Sequence, residues 1–111
     1  MPQDQTASAK AELDRCQAVV GRLHKMCCEP DRSPRMQAIE SRIDEARSRL
    51  GHGLTGEVAG EVTEILKDIG SRLGNLQVEC CTEVRMPLYA EALEKLTATQ
   101  LSMSRELGLG H

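Results

Sequence analysis

Aromatic side chains are almost missing from this sequence of 111 residues. Tyr89 stands alone, with no phenylalanine and no tryptophan. One tyrosine cannot build the stacking platforms that single-stranded nucleic acid needs, nor an aromatic cage for a quaternary amine. Long hydrophobic runs are missing too. No apolar stretch approaches the roughly 18 residues that span a bilayer, and residues 1–10 hold no hydrophobic segment of the secretory kind, so membrane insertion is not expected. A dominant charge is also lacking. Fourteen basic residues face 17 acidic ones for a net charge of −3, which supplies no general attraction to phosphate backbones. Residues 1–50 carry nine basic and eight acidic groups and residues 51–111 carry five and nine, a dipole too weak to name a partner. What is present, 40% hydrophobic and 28% charged residues, is the ordinary composition of one globular domain.

Five cysteines occur: Cys16, the adjacent pair Cys27-Cys28 and the adjacent pair Cys80-Cys81. An odd number without a secretory leader fits reduced thiols in the cytoplasm or nucleus. Neighbouring cysteines rarely bridge each other, because the ring they close is strained.

Helical periodicity organises the rest. Leu13, Cys16, Val20, Leu23 and Cys27 step by three and four, a stripe for a helix of about 20 residues. Pro30 stops it, and Ser33-Pro34 reads as the N-cap and first position of a second helix. That helix has a stripe at Met36, Ile39, Ile43, Ala46 and Leu50. Arg35, Glu40, Arg42, Asp44, Glu45, Arg47 and Arg49 form its solvated face, with opposite charges at helical spacing. Gly51-His52-Gly53 closes it with a left-handed cap. Thr55 caps a third helix, with Glu57 in its first turn and Val58, Val62, Ile65, Leu66, Ile69 and Leu73 on its buried side. Gly74-Asn75 reads as a break before a short helix carrying Leu76, Cys80, Cys81 and Val84. Pro87 opens the last helix, with Tyr89, Leu93, Leu96, Met103 and Leu107 on one side. No segment alternates with period two. The sequence therefore predicts an all-α antiparallel bundle of four to five helices over residues 11–107, between a flexible 1–10 and a flexible 108–111. Gly56 with Gly60, and Gly70 with Gly74, match small-xxx-small spacing, which close helix approach and plain tolerance explain equally well.

Chemistry-bearing clusters are few. His24 with Cys27 or Cys28 offers a nitrogen and a sulfur on one helix face, and Cys80 and Cys81 could complete a tetrahedral zinc site. Adjacent cysteines are not the spaced pair that usually wraps zinc, however, and Cys16 and Cys27 read more simply as small hydrophobes of a core stripe. No serine elbow, phosphate loop or His-Glu-x-x-His motif occurs. No catalytic residue, metal or cofactor is expected. Arg35, Arg42 and Arg49, seven apart, form the one row that could serve as an interaction face, and an acidic partner helix suits it better than nucleic acid.

The run from Pro34 to Leu66 carries more than generic helix pattern. Ile39, Arg42-Ile43 and Leu50 lead into Gly53-Leu54-Thr55, which opens the next helix. The Leu73-Gly74-Asn75-Leu76 break and the segment Val78 to Val84 follow in order. Over Pro34 to Leu96 this arrangement resembles the α-helical domain shared by the steroid receptor RNA activator protein and the C-terminus of the large outer-cage subunit of the COPII vesicle coat. Ala92-Leu93 stands where that family has a tryptophan. The resemblance implies a five-helix bundle without catalytic residues, used for protein association. Its vesicle-coat form would act in transport from the endoplasmic reticulum, in the cytoplasm at exit sites. Its alternative is a nuclear, RNA-linked coregulator. A thiol- or metal-responsive helical protein is the third reading, and self-association is compatible with all of them.

Overall fold

The apolar stripes fold as helices. The structure, a computed structural model, describes residues 7–26, 33–79 and 86–108. In it α1 spans Ala7–Met26, α2 Ser33–Leu50, α3 Gly56–Glu79 and α4 Met86–Glu106. The described residues contain no strand, and the fold is the all-α bundle expected. Each helix packs on the next in the chain, and α4 closes the ring against α1, the most extensive pairing of the four.

Paired side chains show the directions. Along α1 and α2, Asp14 meets Arg47 at 2.8 Å and His24 meets Glu40 at 2.7 Å, so the two run antiparallel. Along α2 and α3, Arg42 reaches Asp68 and Arg49 reaches Glu61, again antiparallel. Between α1 and α4, the hydroxyls of Ser8 and Ser102 lie 3.1 Å apart, and the Cys16 thiol donates to the Ala92 carbonyl at 3.7 Å.

Leu13, Cys16, Val20 and Leu23 of α1 are buried, as are Met36, Ile39, Ile43, Ala46 and Leu50 of α2. Val62, Ile65, Leu66, Ile69 and Leu73 of α3 join them, with Leu76. The α4 stripe differs from the expected one. Tyr89, Ala92, Leu96, Thr99 and Met103 step inward with Ser102, whereas Leu93 and Leu107 are only partly buried. Small residues at 92 and 102 let α4 approach Cys16 and Ser8 of α1 closely. Thr99 satisfies its buried hydroxyl by donating to the Lys95 carbonyl at 2.8 Å.

The helix ends follow local chemistry. The Thr55 hydroxyl accepts the Val58 N–H at 3.1 Å, the N-cap bond expected of it. Gly53 takes φ of 102° and returns its N–H to the Leu50 carbonyl at 3.1 Å, a conformation that favours glycine.

Two expected boundaries are corrected. α3 continues unbroken through Gly74 and Asn75 to Glu79. Leu73 and Leu76 are both fully buried, so packing on either side outweighs the poor helix propensity of Gly-Asn. Leu76 therefore belongs to α3, while Cys80, Cys81 and Val84 lie outside the described residues, which hold four helices. At the other end, α1 takes residues 7–10 from the segment expected to be flexible, because Ala9 is fully buried and extends the stripe of Leu13 and Cys16.

Ile43 sits in the middle of α2 with no exposed surface. Ile43→Ala is expected to cost about 2–5 kcal/mol in urea denaturation, while Ser41→Ala on the exposed face of the same helix shifts stability by less than about 0.5 kcal/mol. Equal effects at the two positions would contradict this packing.

Candidate interaction site

The basic positions of α2 recur every seven residues at Arg35, Arg42 and Arg49, and Glu61, Asp68 and Asn75 recur every seven along α3 in the opposite direction. The structure brings the two series together. Arg42 donates from Nε to Asp68 Oδ2 at 2.8 Å and from Nη1 to Glu45 Oε1 at 2.6 Å. Arg49 donates to Glu61 at 3.0 Å and to Glu45 Oε2 at 3.1 Å. Arg72 adds a bond to the same Asp68 oxygen at 2.9 Å. The acidic helix suited to this row is thus α3 of the same chain. Arg42 and Arg49 do not form an outward basic face, which corrects the expectation for them. Arg35 lies one heptad further on, opposite Asn75, beside a cleft of about 240 Å³ that Ile39, Arg72 and Leu76 also line.

These bonds bias protonation. Hydrogen bonds from Arg42 and then Arg49 hold the Glu45 carboxyl below its ordinary value. Arg72 and then Arg42 do the same for Asp68. Both guanidinium groups of the seam are raised in turn, Arg42 chiefly by Glu45 and Arg49 chiefly by Glu45. The side chains are partly exposed, so solvent screens each pair and no single one contributes much. A carboxyl whose folded value is depressed stabilises the fold above its unfolded value and loses that contribution as pH falls through the folded one. Urea midpoints measured from pH 7 downward should therefore fall below about pH 4.5, the ordinary value for Glu45. Arg42→Gln should flatten that limb. An acid limb unchanged by Arg42→Gln would show that the seam contributes nothing.

Of the metal candidates, only His24 lies among the described residues. His24 Nδ1 lies 2.7 Å from Glu40 Oε1, joining α1 to α2, with both side chains about one-third exposed or less. Glu40 is therefore not on the solvated face where the sequence pattern put it. Cys27, Cys28, Cys80 and Cys81 lie outside the described residues. Among the described residues, no group of three or more His, Cys, Asp or Glu is placed to hold a metal ion. Cys16 is fully buried, and burial pushes its thiol up to about 12. It stays protonated at neutral pH and is no nucleophile there. With peptide mapping after alkylation, Cys16 should remain unmodified in the native protein and react only after unfolding; rapid native labelling would refute its burial.

Clefts lie at three of the seams: besides the one at Arg35, one of about 330 Å³ opens at Lys10, Asp44, Arg47, Ser48 and Gly51 between α1 and α2, and the α3–α4 seam carries two, beside a row of small residues. A strip of Gly56, Gly60, Thr63, Lys67, Gly70 and Gly74 runs along α3 at three-four spacing. Beside it open two clefts. One of about 270 Å³ lies at Gly56, Gly60 and Thr63 against Met103, Ser104 and Leu107. The other, about 160 Å³, lies at Lys67 and Gly70 against Leu93, Leu96 and Thr97. Gln100 lines both. A Cβ at Gly56, Gly60 or Gly74 would meet no atom within 4 Å, and one at Gly70 only ordinary contacts with Leu96 and Leu93. Packing within the chain does not require these glycines, although each costs about 0.5–1 kcal/mol relative to alanine inside a helix. Leu101 of α4 is 56% exposed and lines neither cleft. The spacing of the glycines was visible in the sequence, but the groove was not, because it depends on which α4 residues turn toward α1.

No family model, curated protein or solved structure matches the chain. Fold and surface define a class: an antiparallel helical bundle whose α2–α3 charges close on one another and whose α3–α4 seam carries two clefts beside a glycine strip.

Proposed function

We propose that this chain is a non-catalytic protein-association domain whose α3–α4 groove receives another polypeptide. The observation that carries this reading is the unfilled groove between Gly56–Gly70 of α3 and Leu93–Leu107 of α4. Apolar grooves between helices accept helical surfaces through just such residues. The resemblance to the vesicle-coat and RNA-activator domain supports the same class and gives its finer form, a scaffold of COPII-type transport in the cytoplasm at exit sites of the endoplasmic reticulum. Its nuclear alternative, the RNA-linked coregulator, would need uncompensated basic residues along one stripe. Arg42 and Arg49 are instead bonded to Glu45, Glu61 and Asp68, which favours the protein-binding form. The thiol- or metal-responsive reading rests on Cys27, Cys28, Cys80 and Cys81, which lie outside the described residues; Cys16, buried with its thiol raised, adds nothing to it.

The test pairs the wild-type chain with Gly60→Leu, which fills the groove at a position where the added side chain meets open space. Immobilised in parallel, the wild type should retain a defined set of binders that Gly60→Leu loses. Vesicle-coat components among them would support the finer form. Binders retained equally by both proteins would overturn the groove. Titration with single-stranded and hairpin RNA at about 150 mM salt should show nothing tighter than the 10⁻⁴–10⁻⁶ M typical of non-specific contact; submicromolar RNA affinity would favour the coregulator.

A further inference from the structure

We propose that the cleft between α2 and α3 at Arg35, Arg72 and Asn75 binds a small aliphatic carboxylate. This site lies on a different seam from the α3–α4 groove and is independent of what that groove receives.

The heptad register defines the site. Along the α2–α3 seam Arg49 meets Glu61 and Arg42 meets Asp68. The third rung sets Arg35 beside Asn75, and both line one cleft of about 240 Å³. An amide therefore stands where α3 gives the other two rungs a carboxylate. Arg72, one turn before Asn75 on α3, brings a second guanidinium to the same cleft. It donates only from Nε, to the Asp68 oxygen that Arg42 Nε also uses. One carboxylate thus answers two cations, and both Nη groups of Arg72 keep their hydrogens for another acceptor. A guanidinium carries five N–H donors, so bonds that Arg35 makes elsewhere do not exhaust it. The described lining of the cleft holds two guanidinium groups and an amide, with no acid.

The chemistry of the lining selects the ligand. Arginine pairs with a planar carboxylate through parallel N–H donors, as the two filled rungs of this seam already do with Glu61 and Asp68. The Asn75 amide adds a neutral donor for the second oxygen. Beneath them Ile39 and Leu76 form an aliphatic floor, which suits a short hydrocarbon tail and gives a tetrahedral phosphate nothing to match. At about 30 Å³ for each water-sized group, the cleft holds about eight of them. The ligand is therefore smaller than the occupants of ordinary cofactor pockets. Arg72 and Asn75 are exposed, so solvent and salt screen the contact and the affinity is modest.

Titration of the full chain with isovalerate, at ionic strength held constant with chloride, tests this by nitrogen–proton correlation NMR. The Asn75 side-chain amide and the Arg72 Nε–H should shift saturably, with Kd in the millimolar range. Isovaleramide, the same shape without the charge, should bind at least about tenfold more weakly, and so should inorganic phosphate. Arg72→Gln should weaken isovalerate by at least about tenfold with helix content by circular dichroism unchanged. Asn75→Asp should weaken it as much, because the chain then supplies the third carboxylate itself. Shifts that fail to saturate, equal affinity for isovaleramide or phosphate, or isovalerate binding indifferent to Asn75→Asp would each overturn the proposal.

Discussion

Side-chain volume is the constraint on which this bundle depends. With Tyr89 the only aromatic residue, four helices of about 20 residues must be held by aliphatic side chains, methionine and cysteine. Interiors tolerate few voids, so helices with small contact residues have to approach closely. α1 and α4 do so: Ala9, Cys16, Ala92, Thr99 and Ser102 are all buried, Cys16 meets Ala92 and Ser8 meets Ser102 across the seam, and the Thr99 hydroxyl finds its partner along α4. α3 cannot follow suit. Its large residues point to the centre, the glycine strip points to the side of α4, and α4 has already committed its small face to α1. The groove is the volume left over.

The α2–α3 seam solves a second problem. Aliphatic side chains pack in several registers with little difference in energy, and sliding by a heptad would keep most apolar contacts between these two helices. The charges distinguish the registers. In the observed one Arg42 meets Asp68 and Arg49 meets Glu61, while Glu45 bonds to both arginines from within α2. A slip of seven residues in one direction would set Arg42 against Asn75 and leave Asp68 facing Arg49; in the other, Arg35 would face Asp68 and Glu61 would face Arg42. The first slip keeps only one arginine–carboxylate pair across the seam, so the charges weigh against it; the second keeps two and gives up the Arg49–Glu61 pair. Partly exposed ion pairs contribute little to stability, but they discriminate between arrangements of similar packing energy.

Much of this was legible in the sequence. The three-four stepping located the stripes of α1 to α3 almost residue by residue, since it depends only on helical geometry, and the Thr55 cap and the Gly53 turn are local chemistry. The errors arise where tertiary packing overrides local signals. Gly74-Asn75 looks like a break until Leu76 is known to be buried. Leu93 and Leu107 look like core until Ala92, Thr99 and Ser102 are seen turned to α1. The arginine row was correctly found and wrongly assigned outward, because sequence spacing shows that an acidic helix suits it without showing that the chain itself supplies one. The bond from His24 to Glu40 across a helix seam carried no signal in the spacing, because it depends on how α1 and α2 pair.

The glycine strip sets stability against surface. Alanine at Gly56, Gly60 or Gly74 would meet open space and would strengthen α3 by improving helix propensity alone. A chain optimised only for folding would carry alanine there. Natural proteins commonly leave such gains unused, and here the unused gains lie along one face of α3, beside the two clefts of the α3–α4 seam. Gly21 of α1 also has open space around its missing Cβ, yet it stands alone on its helix and borders neither cleft of the groove. Arrangement, more than glycine content, therefore separates the α3 strip from tolerated helix glycine.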